Sequence, residues 1–188
     1  DAAEYSGSGI GIGIQAKGDI GEFYRILDQR VALVVCQLLH RFKIQAAKKC
    51  RNYPFLMGQG VWIDSDKLEI DDTIEEVIKH GTLSVGFIGL AETLVALTGK
   101  HHGESEESQK LGLEIIGHMR KLMDDESEKT GLNFTLLATP AEGLSGRFVR
   151  IDRKVFGLIP GVTDREYYTN SFHVPVYYPI KAFRKIQL

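Results

Sequence analysis

Cysteine is scarce: the 188 residues hold only Cys36 and Cys50. The periodicity places both on one long predicted helix, fourteen positions and about 21 Å apart at the helical rise, too far for a disulfide. A disulfide framework is excluded, and a reducing, cytoplasmic setting fits. An excess of one charge is missing too. The 23 basic and 25 acidic residues are interspersed and sum to -2, so no global field steers the chain to nucleic acid or an anionic membrane. Any phosphate recognition must be local. No apolar run approaches a membrane span or a signal peptide. Also missing are a G-x-S-x-G elbow, a Walker-type loop and an H-E-x-x-H pair. What remains, at 43% hydrophobic and 26% charged residues, suits one globular unit with a sizeable core. Because the chain opens at Asp1 and stops at Leu188 directly after a strand-like segment, it is expected to be a piece of something longer.

Along the chain, strand patterns alternate with helical ones. Gly9, Gly11 and Gly13 alternate with Ile10, Ile12 and Ile14, a period of two that predicts a strand with a bare face or a flexible lead-in. Gly11, Gly13 and Ala16 also match G-x-G-x-x-A, a weak dinucleotide-binding signal with no apolar strand before it. Asp19 and Glu22 form a capping box that opens a helix to about Cys50, with Phe23, Ile26, Leu27, Val31, Val34, Leu38 and Phe42 on one stripe. Phe55 to Ile63 reads as a strand or an irregular buried segment, and a short helix follows from about Asp72 to Lys79. Thr82 to Leu90 reads as a buried strand, Ala91 to Thr98 as a helix stopped by Gly99, and Ser105 to Thr130 as a long helix closed by Gly131. A last extended region runs from Ser171 to Tyr178. This order predicts an α/β fold with largely parallel strands and ligand sites at strand carboxyl ends.

The most informative stretch is Asn133 to Arg147. Phe134 to Ala138 is apolar, as a strand covered on both faces would be. Thr139 then reads as an N-cap, Pro140 as the first helical residue and Glu142 as the far half of a capping box. Free N–H groups and the positive end of a helix dipole would leave the strand end together, which is how proteins hold anions. An ordinary helix that caps itself fits the same spacing.

Other chemistry-bearing groups are weaker signals. His101 and His102 are adjacent in a loop and point apart, which suits a structural or substrate-facing loop better than a metal site. His40 and His118 fall within helices. His173, near Asn170 and Ser171, falls on the predicted last strand. Cys36 and Cys50 read as buried thiols.

Five segments, Arg51 to Gln59, His80 to Glu92, Leu97 to Ser105, Leu136 to Phe148 and Tyr167 to Val176, resemble the anaerobic (class III) ribonucleoside-triphosphate reductases. The resemblance runs almost continuously from about Gly18 to Leu188. It implies a middle section of a ten-stranded α/β barrel of the glycyl radical enzyme type, with residues 18–188 as a partial barrel domain and 1–17 as a glycine-rich lead-in. It implies radical reduction of ribonucleoside triphosphates by the intact polypeptide, and a fragment inactive by itself. The family's thiyl cysteine would lie upstream. Its glycyl radical, its structural zinc and the site for its ATP/dATP effectors would also lie outside this segment, so no cofactor is expected within the chain. A radical SAM activating enzyme and a homo-oligomer are the implied partners.

The resemblance also gives the strand-to-helix junction a role. In these reductases such an element holds the substrate phosphates, and Ala138-Thr-Pro-Ala-Glu-Gly143 looks like it. The implied cradle is Thr139, Pro140, Ala141, Glu142 and Gly143, with Asn170, Ser171 and His173 lining the pocket from a neighbouring strand. Two other readings stay open: a non-catalytic nucleotide-binding or scaffold module of the same fold, and a Rossmann-type binder using Gly11 and Gly13.

Overall fold

The computed structural model describes residues 9–188, with side chains from Ile12 onward. The order of elements is α1 (Gly9–Ala16), α2 (Ile20–Ala46), α3 (Pro54–Gly58), α4 (Glu75–Ile78), β1 (Thr82–Phe87), α5 (Leu90–Thr98), α6 (Glu106–Thr130), β2 (Asn133–Ala138), α7 (Glu142–Phe156) and α8 (Ala182–Gln187). The fold is mixed α/β, and β1 and β2 pair in parallel. A parallel pair needs a long crossover, which α5 and α6 supply.

Contacts divide the chain into two compact units. One comprises the chain up to Val31, Gly86–Arg120 and Leu136–Leu188; the other comprises Ala32–Val85 and Lys121–Thr135. The first has a core of Val149, Val162 and Tyr168, against which Ile14, Val95, Ala96, Phe148 and Ile159 pack. In the second, Cys50, Met57, Ile74 and Val77 form the core, with Tyr53, Trp62, Leu68 and Ile78 around them. Each such side chain taken out of water contributes about 1.5–3 kcal/mol before entropy is counted.

Helix α2 follows its apolar stripe, with Phe23, Ile26, Leu27 and Val31 buried. Its capping box is half formed. The Asp19 carboxylate accepts the Glu22 N–H at 3.0 Å, but Glu22 turns forward to Arg25, at 2.6 and 2.7 Å, because the Asp19 N–H is already held by the Ala16 carbonyl. The helix stops at Ala46, short of Cys50, which opens a 3₁₀ turn (Cys50–Asn52) and donates its N–H to the Asp72 carbonyl. Both thiols are free; Cys50 is buried, which pushes its pKa up, and Cys36 is exposed, against expectation.

Three further expectations are corrected. The glycine–isoleucine run from Gly9 is helical, not a strand, and α1 packs on α5. A Cβ at Gly13 would meet the Thr93 carbonyl oxygen at 3.3 Å and the Ala96 Cβ at 3.4 Å, so the small residue lets the two helices close up. With Gly11, Gly13 and Ala16 inside one helix, there is no strand–turn–helix for a dinucleotide fingerprint; the part of the glycine-rich stretch before Gly9 lies outside the described residues. Phe55 to Ile63 forms neither strand nor buried segment. Pro54 starts a single helical turn, the Met57 N–H bonds the Tyr53 carbonyl, and Phe55, Val61 and Ile63 are left exposed while Met57 is buried. The last region, Ser171 to Tyr178, holds turns and no strand, with Pro175 within it unable to donate to a ladder.

The strand pair is pinned by side chains on one face. Ser84 Oγ and Thr135 Oγ1 are 3.1 Å apart, and Asn133 Nδ2 donates to Thr82 Oγ1 at 2.8 Å. At the end of α6, Ser127 Oγ accepts the Phe134 N–H at 2.9 Å and donates back to the Met123 carbonyl, fixing where β2 begins. Phe134 is buried, but Leu137 is 47% exposed, so β2 is not covered on both faces by the described residues.

Candidate functional site

At the end of β2 the chain does not turn straight into a capped helix. The Thr139 N–H bonds the Phe87 carbonyl at 3.3 Å, extending the sheet by one residue, and the Thr139 hydroxyl donates to its neighbour Leu137 rather than accepting from a helix N–H. Ser171 Oγ donates to the Thr139 carbonyl at 3.1 Å. The sheet and the neighbouring loop thus hold Thr139 and shift the helix start to Glu142, with Ala141 as N-cap and no side-chain cap. The expected capping box is therefore absent. Glu142 is the first helical residue and is exposed, and its carboxylate closes onto no N–H group among the described residues. The N–H groups of Glu142, Gly143 and Leu144 meet no side-chain acceptor among the described residues. They retain the partial positive charge of the start of a 15-residue helix.

This helix start borders a cavity of about 510 Å³ in the first unit, lined by Glu142 and Ser145 from α7, by Tyr167 to Asn170, His173, Val174 and Val176 from the segment that follows, and by Lys185 from α8. Of the expected site residues, Glu142, Asn170 and His173 share this lining. Thr139 and Ser171 meet one another just outside it, while Pro140, Ala141 and Gly143 belong to the turn and first helical turn that lead to it. Lys185 was missed. The signal was Phe183 and Ile186 three apart with a basic pair between them, a short helical pattern beyond the last predicted element.

The loop from Tyr168 to Ser171 is held firmly. Its Thr169 and Ser171 carbonyls accept the Gly89 and Leu90 N–H groups, at 2.7 and 3.2 Å, and so cap α5. Glu92 Oε1, on α5, accepts both the N–H and the hydroxyl of Thr169, at 2.9 and 2.6 Å. The Tyr168 hydroxyl donates to Asp152 Oδ2 at 2.8 Å. Ser171 itself has φ +50°, a conformation few non-glycine residues adopt.

Glu92 is the least comfortable member. It is 4% exposed, and its Oε2 has no hydrogen-bond partner among the described residues. Burial pushes its carboxyl pKa up, and the Thr169 bonds offset this only in part. A carboxyl with a raised folded pKa binds more protons native than unfolded, so stability falls as pH rises from the ordinary glutamate value of 4.5 through the folded one. We expect unfolding midpoints to show this fall as pH rises above 4.5, and Glu92→Gln to flatten it; an equal slope in the variant would refute the assignment.

Neither cysteine lines the cavity, and no group of three metal-capable side chains occurs among the described residues. Helix N–H groups, an amide, an imidazole and an ammonium are suited to binding a polar anion, while the Glu142 carboxylate in the same lining opposes one.

Residues 10–188 match the family of the anaerobic ribonucleoside-triphosphate reductases. Similar proteins of that name occur in Salmonella typhimurium, at 39% identity over 93% of this chain and 25% of the relative, and in Escherichia coli, at 38% over the same shares. The one from Enterobacteria phage T4 is 34% identical over 88% of this chain and 26% of its own length. The chain thus spans about a quarter of the length of the curated relatives it matches. On that near-complete match, the chain belongs to the anaerobic ribonucleoside-triphosphate reductase family.

Proposed function

We propose that the chain is a section of an anaerobic ribonucleotide reductase, and that its 510 Å³ cavity receives the phosphates of a ribonucleoside triphosphate. The observation that carries this reading is the start of α7 without a side-chain cap, opening beside Asn170, His173 and Lys185. Three backbone N–H donors and a mobile ammonium suit a polyphosphate better than a neutral ligand. The Thr139 hydroxyl joins them by turning from the Leu137 carbonyl, a weak 3.3 Å bond.

The parallel β1–β2 pair with its helical crossover supports a place in a larger α/β barrel of ten strands, with residues 18–188 as its partial domain and 1–17 leading in. In that setting the intact polypeptide reduces ribonucleotides in the cytoplasm by glycyl and thiyl radical chemistry. The radical glycine, zinc, ATP/dATP effector site and contacts to an activating enzyme and a second copy belong to segments outside this one.

The test is titration of a ribonucleoside triphosphate against the full-length protein. Lys185→Ala is expected to weaken binding about tenfold, and less at high salt, because a charge-assisted contact is lost. Thr139→Val is expected to weaken it by less. Unchanged affinity in both variants would remove the cavity from consideration.

A further inference from the structure

The apolar stripe of α2 runs on past the core it serves. Phe23, Ile26, Leu27 and Val31 are buried, but Leu38 and Phe42, farther along it, are only half-buried. With Arg41 and Gln45, spaced as one helix face, they wall a groove of about 490 Å³ in the second unit. Tyr53 and Trp62, on either side of α3, line it too, their ring centroids 5.3 Å apart and their planes tilted by 47°. Trp62 packs against the core of this unit and stays half-buried, while Val61 and Ile63 beside it are 57% and 62% exposed.

The polar groups along this groove are unequally engaged. The Tyr53 hydroxyl donates to Gln45 Oε1 at 3.1 Å, and Thr82 Oγ1 accepts from Asn133. That leaves the Gln45 amide N–H groups and the Arg41 guanidinium. Arg41 is exposed, and it is neither hydrogen-bonded nor ion-paired among the described residues. No acidic side chain lines the groove. An exposed arginine is ordinarily just solvated, but this one shares a concave lining with three aromatic rings and an amide that the tyrosine already orients.

We infer that this groove binds a flat aromatic molecule of two or three rings that carries one carboxylate. The rings lie against Phe42, Tyr53 and Trp62, and the carboxylate takes Arg41, with the Gln45 N–H beside it. The volume fits, since small-molecule sites span about 300–1,000 Å³ and combine an apolar lining with a few polar groups. Aromatic side chains hold a planar ring in offset or edge-on contact, and a guanidinium presents its flat fork to a carboxylate. A cation would be repelled by Arg41 and meet no carboxylate. A wholly apolar molecule would leave the fork and the amide unused. The inference is independent of the phosphate site, which lies in the first unit.

The probes are naphthoate and its uncharged analogue naphthalenemethanol, titrated against the full-length protein labelled with fluorotryptophan. Naphthoate is expected to shift the Trp62 fluorine resonance, identified by its loss in Trp62→Phe. It is expected to bind about fivefold more tightly than the alcohol at low salt, the ratio one charged contact supplies at an exposed group, and the preference should shrink in high salt. In Arg41→Gln the preference disappears while the alcohol binds as before; the side chain is exposed, so the variant keeps the fold. The inference is overturned if naphthoate leaves the Trp62 resonance unmoved at millimolar concentration, as it would were another segment of the longer polypeptide to fill the groove. It is equally overturned if the two probes bind alike in the parent protein, or if the preference for naphthoate survives in Arg41→Gln. Should Trp62→Phe fail to fold, calorimetric affinities of both probes for the parent protein and Arg41→Gln decide it by the same criteria.

Discussion

Gly86→Ala is expected to cost about 2–3 kcal/mol of stability, a loss at the upper end for a one-carbon insertion. A Cβ built on Gly86 would lie 2.0 Å from Thr139 Oγ1 and 3.2 Å from Thr139 Cβ. Rotating the threonine moves its oxygen away but breaks the bond to the Leu137 carbonyl and leaves the two β-carbons crowded. Backing away is no easier, because the Thr139 backbone is bonded on one side to Phe87 and on the other to Ser171. Thr139→Ala removes the colliding oxygen, so the double variant should recover most of the loss, with a coupling of about 1.5–2 kcal/mol in a double-mutant cycle. Denaturant unfolding of the four proteins measures it. Additive losses would mean that the strand end and the residue after β2 do not approach as described.

The same close approach explains which parts of the site could be read from the residues alone. β1, α5, α6 and β2 were legible because period, caps and glycine stops agree: Gly99 and Gly131 end α5 and α6 where expected. The capping box after β2 was misread because Thr139, an excellent N-cap by composition, is recruited by a partner more than fifty residues away, and no local pattern reports that. The glycine–isoleucine run was misread for a related reason. Its period of two mimics a strand, but glycine at position 13 serves contact with α5, a tertiary demand invisible in a window of six residues. Asn170, Ser171 and His173 were expected near the junction through a family resemblance, on a neighbouring strand; the lining of the cavity beside the start of α7 includes Asn170 and His173 and not Ser171. The backbone there is a loop held by side-chain hydrogen bonds, with no strand to announce it. Lys185 went unseen because its helix is six residues long and has no buried residue, so it leaves almost no apolar signature.

That loop leads to the second large effect, expected for Tyr168→Phe. Tyr168 and Asp152 are both fully buried, and the phenol donates to the carboxylate at 2.8 Å. Burial and the Asp152 charge drive the phenol pKa far above its ordinary value, so the hydroxyl remains a donor at every accessible pH. Phenylalanine preserves the ring's volume and packing against Val149 and Val162, so the variant removes the donor alone. A buried carboxylate deprived of a donor costs about 2 kcal/mol, whereas Tyr168→Ala would add a cavity and lose more. The consequence should be local before it is global. The loop bonds α5 through the Gly89 and Leu90 N–H groups, and these amides should exchange with solvent about thirtyfold faster in Tyr168→Phe if the loop opens as a unit. The Phe134 amide, held by Ser127 at the far end of β2, should be unaffected. If exchange at Gly89 and Leu90 matches the parent protein, Tyr168 packs the core but does not anchor the loop, and the cavity beside α7 owes its shape to Glu92 and Thr169 instead.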